Sequence, residues 1–286
     1  MKFKRLVVFG DSWTKGVGSN LYVEKKLFER YEKSKAKHIS EKYQLKHSWA
    51  NNLATNLNIP IVNKSEIGCS NTSILQFVLD FHKNEFKNCK DDLFIIMWSS
   101  GLRDDLSFIP ESIKKISRVG YSFSYKDIFK AKKTLKRGHF NPYFSIHDNS
   151  DEYDIETIEP FFKEFVNNII MNDFIDNSYF DFQNQMKIYF LQQYLEYFNI
   201  NYVMCDAFES MFSYSDKKKS FINLENYFFP NNEKTFSDYL NKNYGESVFE
   251  HFGIQKKYYD NGSHPNKKGY KIISNLLYEF ISKKFR

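Results

Sequence analysis

The chain has 286 residues, 42% of them hydrophobic and 19% aromatic, enough to bury a sizeable core as one domain or one domain with insertions. Its 41 basic and 35 acidic residues leave a net charge of +6, a mild excess that neither half holds alone and that argues against nucleic acid as a partner. The three scattered cysteines, Cys69, Cys89 and Cys205, offer neither a disulfide framework nor a zinc spacing and fit a reducing, cytoplasmic compartment.

The first residues, MKFKRLVVFGDS, are basic and then apolar, but the apolar run is too short for a signal peptide. No stretch approaches the ~20 apolar residues of a membrane-spanning helix, so no membrane partner is expected. Four near-continuous apolar runs read as strands of a parallel sheet covered on both faces. They are RLVVFG at 5–10, IPIVNKS at 59–65, DLFIIMWSS at 92–100 and INYVMCDA at 200–207.

Helical patterns lie between them. HSWANNLATNLN at 47–58 sets Trp49, Leu53 and Leu57 on one face, and NTSILQFVLDFHKN at 71–84 carries Ile74, Leu75, Val78 and Leu79 behind an Asn/Thr start, with Asn71 expected to cap it. A long amphipathic helix is predicted at 179–199, and NKKGYKIISNLLYEFISKKF closes the chain as another. Strands alternating with helices predict an α/β fold, a three-layer α/β/α sandwich around a parallel sheet.

Residues 104–178 break that rhythm and are too long for a plain loop. They read as a partly helical insertion or lid within a single domain spanning 1–286, with 158–174 as its best helix. The acidic piece HDNSDEYDIE at 147–156 lacks the Gly of a calcium loop and reads as a solvated turn. The lysine clusters at 130–139 and 216–220 read as solvated faces. A second irregular region covers roughly 208–259.

Strand ends in a parallel sheet are where active sites collect. Ser12 follows the first strand, the loop SEIGCSN with Gly68 follows the second, and WSSGLRDD follows the third. Near the C-terminus, YYDNGSHPNKKGY places His264 before a proline and a helix start. A serine hydroxyl needs a histidine base, the base needs an acceptor on its other ring nitrogen, and an oxyanion needs backbone N–H donors at open glycine turns.

These four pieces, FGDSWTKG, IGCSN, SSGLRDD and DNGSHPNKKGY, spread over residues 9–270 in order, resemble the motifs of the SGNH (GDSL-type) hydrolase superfamily, an α/β/α fold of esterases, lipases and carbohydrate deacetylases. The resemblance implies Ser12 as nucleophile and first oxyanion donor, Gly68 as second donor through its N–H, and His264 as base. It implies an esterase or deacetylase acting through an acyl-enzyme, with short acyl groups on carbohydrate as substrate and with neither a metal nor an organic cofactor. Two positions depart from the family's pattern. Arg103 stands where an Asn amide supplies the third oxyanion donor; it can serve that role, bind an anionic group on the substrate, or simply pair with Asp104, Asp105 or another carboxylate. The usual acid position, three before the histidine, holds Asn261, and Asp260 lies one residue earlier; Asp260 is expected to orient His264.

Ser99 and Ser100 are alternative hydroxyl donors. Trp13, Trp98 and Ser100 are candidates for a substrate cleft, with core packing an equal alternative for the two rings. Asp11 is expected to hold its turn rather than take part in chemistry. The other histidines (His38, His47, His82, His139, His147 and His251) show no metal-ligand spacing. A reading from another class is a non-catalytic module of the same fold that binds a glycan or a protein partner. The Lys-, Asn- and Phe-rich composition fits a viral source as well as a cellular one, and virion association would then be a second location.

Overall fold

The computed structural model describes residues 3–19, 33–85, 89–99, 103–107, 120–124, 145–146, 177–207, 210–211, 222–250 and 264–285. In chain order these form β1 (Arg5–Phe9), α1 (Ser12–Lys15), α2 (Lys33–His47), α3 (Trp49–Leu57), β2 (Ile61–Asn63), α4 (Asn71–Glu85) and β3 (Asp92–Trp98). There follow β4 (Arg103–Ser107), β5 (Gly120–Ser124), β6 (Ser145–Ile146), α5 (Asn177–Tyr197) and β7 (Asn201–Asp206). The last elements are α6 (Phe236–Tyr244), β8 (Phe249–Glu250), β9 (His264–Pro265) and α7 (Lys267–Lys284).

The main sheet has strand order β2-β1-β3-β7, and every pair is parallel. Register runs Leu6 to Ile61, Leu6 to Leu93, and Leu93 to Asn201. Side chains alternate between two apolar layers, as the strand pleat requires. On one face Leu6, Val8, Leu93, Ile95, Met97, Val203 and Cys205 meet α3, α6 and α7. On the other, Val7, Phe9, Phe94, Ile96, Trp98, Tyr202 and Met204 meet α4 and α5. The fold is therefore mixed α/β, with helices covering both faces of a parallel sheet, as the near-continuous apolar runs predict. Burying each of these side chains contributes roughly 1.5–3 kcal/mol against the entropy of ordering the chain.

Helix ends follow their capping residues. Ser48 caps α3 by accepting from Asn51 N at 3.2 Å, and Thr235 caps α6 by accepting from Asp238 N at 3.0 Å. For α4 the cap differs from expectation. Ser70 Oγ accepts from Ser73 N at 3.2 Å, and Asn71, already the first helical residue, turns its side chain to β3 instead.

The described residues between 103 and 146 form an antiparallel three-stranded sheet, β4-β5-β6, and Arg103 begins a strand rather than lying in a loop. Cross-strand pairing with residues 13–25 positions away creates these strands, and RDDLS has no apolar run to announce one. The expected helix at 158–174 lies outside the described residues, as do the acidic piece at 147–156 and both lysine clusters. No helix among the described residues is long and apolar enough to cross a membrane.

Two buried carboxylates mark opposite ends of the sheet. At the amino edge, Arg5 Nε donates to Asp92 Oδ2 at 2.8 Å and Arg5 Nη2 to Glu85 Oε2 at 3.2 Å, fastening the paired first residues of β1 and β3. Asp92 is fully buried, and that burial raises its pKa even though Arg5 opposes the rise. At the carboxyl edge, Asp206 accepts from the Tyr227 hydroxyl and from Met211 N, and burial pushes its pKa up to about 7.

Truncating Arg5 strands the Asp92 carboxylate, so Arg5→Ala is expected to cost about 2–3 kcal/mol in urea unfolding, somewhat less than a fully buried pair because the guanidinium is partly solvated. A loss under about 0.5 kcal/mol would refute that account. Asp206 gives a pH signature instead. Its folded pKa lies above its unfolded one, so its contribution is complete below the ordinary carboxylate range, about 4, and is lost as pH rises through about 7. Asp206→Asn, which keeps the shape of the neutral carboxyl, should flatten the fall in thermal midpoint across that window. An unchanged slope in the variant would assign the fall to other groups.

Candidate active site

The carboxyl ends of β1, β2 and β3 meet at Ser12. The chain leaves β1 through Gly10 and Asp11 and enters the single turn of α1, with Lys15 N donating to Asp11 O at 3.0 Å and Gly16 N to Ser12 O at 3.1 Å. Asp11 is completely buried. Its Oδ1 accepts from Trp13 N at 2.9 Å and its Oδ2 from Ser99 Oγ at 2.7 Å. Asp11 thus holds the turn, as its position suggests, and also ties that turn to the end of β3. Ser99 N in turn donates to Asn71 Oδ1 at 2.8 Å, which brings the start of α4 into the same buried network. The Ser99 proton is committed to Asp11, which removes this hydroxyl from the candidate oxyanion donors.

The loop after β2 hangs from the same place. Glu66 N donates to Gly10 O at 3.1 Å, and the Cys69 thiol donates to that carbonyl at 3.3 Å. Between them Gly68 adopts φ +77°, a left-handed conformation that glycine takes without steric cost. The loop bearing Gly68 is therefore fixed to the residue two before Ser12.

His264 arrives from the far end of the chain. It pairs with Glu250 in the short antiparallel β8-β9 ribbon, and Pro265 pairs with Phe249. Asn266 then caps α7, its Oδ1 accepting from Lys268 N at 2.9 Å and Gly269 N at 3.2 Å. Asn266 N also donates to Val248 O at 2.9 Å. These bonds direct the imidazole at the serine, and His264 Nε2 lies 2.8 Å from Ser12 Oγ. Ser12 itself is only 7% exposed, whereas His264 is half-buried.

Both tryptophans read as candidates for a cleft or for core packing are buried. Trp98 has no exposed surface and belongs to the apolar layer beneath α4 and α5. Trp13 is 3% exposed, and its ring centroid lies 6.3 Å from that of Phe249 in the ribbon beside His264. Large rings at strand and turn positions facing a helix layer are drawn into the core. For Arg103 the structure gives the backbone, at the start of β4. Ser100, Asp260 and Asn261 lie outside the described residues.

Sequence reasoning overlooked two further residues at this site. Gly18 packs directly against the backbone of His264, and the Tyr270 hydroxyl donates to Val17 O at 2.5 Å. Tyr270 did carry a signal: it falls on the buried face of α7 with Ile273, Leu277 and Ile281. Its polar tip, buried in such a stripe, demands a partner. Among the described residues no cluster of His, Cys, Asp and Glu has the form of a metal site. His82 is instead a buried contact of α4 on α5, its Nδ1 2.8 Å from Tyr194 Oη, with its pKa lowered by burial.

No family model and no curated protein matches this chain. Among solved structures it is similar to a protein from Desulfitobacterium hafniense DCB-2 assigned to the G-D-S-L family of lipolytic proteins. The identity is 13% over 97% of this chain and 99% of that chain, with a TM-score of 0.32, and at that level the likeness carries no weight for mechanism.

Proposed function

We propose that this chain is a serine hydrolase that cleaves oxygen esters through an acyl-enzyme. The observation that carries the reading is the 2.8 Å separation of Ser12 Oγ and His264 Nε2, joining residues 252 positions apart. A serine in a tight turn and a histidine ahead of a helix have no packing reason to meet in this way, whereas nucleophile and base must.

In this reading Ser12 Oγ attacks the acyl carbonyl while His264 Nε2 takes its proton. The imidazolium then protonates the departing alcohol, leaving an ester on Ser12. Water attacks that ester with His264 again as base, and Ser12 leaves with its proton restored. The oxyanion formed in each half is held by the N–H groups of Ser12 and Gly68 and by the Arg103 guanidinium. Asp260 accepts from His264 Nδ1, fixing the tautomer and offsetting the imidazolium charge. Short acyl groups on carbohydrate are the proposed substrates, a preference supported by the motif resemblance. The chemistry requires neither metal nor organic cofactor.

A fluorophosphonate probe and aryl acetates test this directly. Wild type should label and turn over, and Ser12→Ala and His264→Ala should each lower turnover by at least ~10³-fold. Asp260→Asn is expected to cost ~10³–10⁴-fold, and Asn261→Ala less than about tenfold. Labelling should rise with pH as the imidazole becomes available as base. A wild type as inert as its Ser12→Ala variant toward both reagents would overturn the reading and favour a binding module of the same fold.

A further inference from the structure

A 2.8 Å contact between two loops from opposite ends of the chain needs something to hold the loops in register. The described residues contain a closed ring of interactions that does so. From Ser12, the backbone carbonyl accepts from Val17 N at 3.0 Å. Val17 O accepts from the Tyr270 hydroxyl at 2.5 Å. Tyr270 N donates to Asn266 O at 2.9 Å, and Asn266 lies two residues after His264, whose Nε2 closes the ring on Ser12 Oγ.

Gly18 presses the two sides of this ring together. A Cβ added there would lie 2.7 Å from His264 Cβ and 2.9 Å from Pro265 O, about 1 Å inside ordinary contact distance. Its φ of +96° would strain any other residue as well. Space and backbone therefore both require glycine at the point where the serine turn touches the histidine strand. Tyr270 is fully buried, and burial together with the nearby Asp11 carboxylate raises its pKa well above the ordinary phenol value. It consequently remains a donor throughout the pH range in which an imidazole titrates.

We infer that Gly18 and Tyr270 are positioning residues that set the Ser12–His264 distance, Tyr270 through its bond to Val17 O and Gly18 through its contact with the His264 backbone. The kinetic consequences rest on the hydrolase reading; the geometric ones do not. Misplacement of a reacting pair by about 1 Å costs on the order of 10²-fold in rate. Tyr270→Phe removes one oxygen and leaves the ring packed. Gly18→Ala keeps the tyrosine bond and pushes on His264. Ile273→Val, a truncation in the same helix, loses packing without touching the ring.

The experiment compares these variants and Ser12→Ala by fluorophosphonate labelling against pH, by kcat and KM on an aryl acetate, and by titration of the His264 ring in ¹⁵N NMR. Tyr270→Phe and Gly18→Ala should each label about tenfold or more slowly, lowering kcat with KM held within about twofold. Their His264 titrations should move toward that of Ser12→Ala, whereas Ile273→Val should match wild type in both labelling and titration. Wild-type labelling and an unmoved titration in Tyr270→Phe and Gly18→Ala would overturn the inference, as would equal losses in Ile273→Val. Should Gly18→Ala fail to fold, Tyr270→Phe decides alone, and the reverse. If wild type labels with neither reagent, the hydrolase reading falls and the NMR titration still decides the positioning.

Discussion

Parallel pairing of β1 with both β2 and β3 is the constraint from which the site follows. In a parallel sheet every strand delivers its carboxyl end to the same edge, and the connections must cross back over the faces. Here β1 lies between β2 and β3, so the loops after all three converge around Gly10, Asp11 and Ser12. The convergence is then fixed by specific bonds: Gly10 O receives the β2 loop, and Asp11 receives Ser99 from the β3 end. A change of strand order would scatter these groups without altering a single local propensity.

The sheet supplies three of the four pieces, and the histidine must come from elsewhere. His264 enters on a two-residue strand, too short to define a position alone. Its placement is instead shared among the Glu250 pairing, the Asn266 cap, the rigid body of α7 and the ring through Tyr270 and Val17. α7 in turn is held by the packing of Tyr270, Ile273, Leu277 and Ile281 against the sheet. The accuracy of the Ser12–His264 contact therefore derives in part from core burial some distance away, along α7.

Much of this was legible because the signals were local or near-continuous. The four sheet strands and the helices α3, α4 and α7 were marked by apolar runs and 3.6-residue spacing, and Ser12 and His264 by motifs at strand and helix boundaries. What escaped depended on partners distant in sequence. α2 reads KSKAKHISEKYQLKH, and its own buried residues include Ser40 and Gln44, so no apolar stripe announces it. β4, β5 and β6 exist through cross-strand pairing of polar segments. Asn71 has the residue type and position of a helix cap, and only the arrival of Ser99 N from β3 gives it other work. Gly18 resembles any loop glycine until the backbone of His264 is placed against it.

Buried carboxylates are handled differently at the two edges of the sheet, and the difference bears on the site. At the amino edge a cation, Arg5, offsets Asp92. At the carboxyl edge Asp11 and Asp206 accept hydrogen bonds from neutral donors: Trp13 N and Ser99 Oγ for the first, Tyr227 Oη and Met211 N for the second. Hydroxyl and amide donors satisfy a carboxylate's lone pairs without placing a fixed positive charge beside it. A cation installed next to Ser12 for purely structural ends would disfavour protonation of the nearby imidazole, which a serine nucleophile requires of its base. The two bonds that Asp11 accepts from Trp13 N and Ser99 Oγ hold the serine turn without adding such a charge.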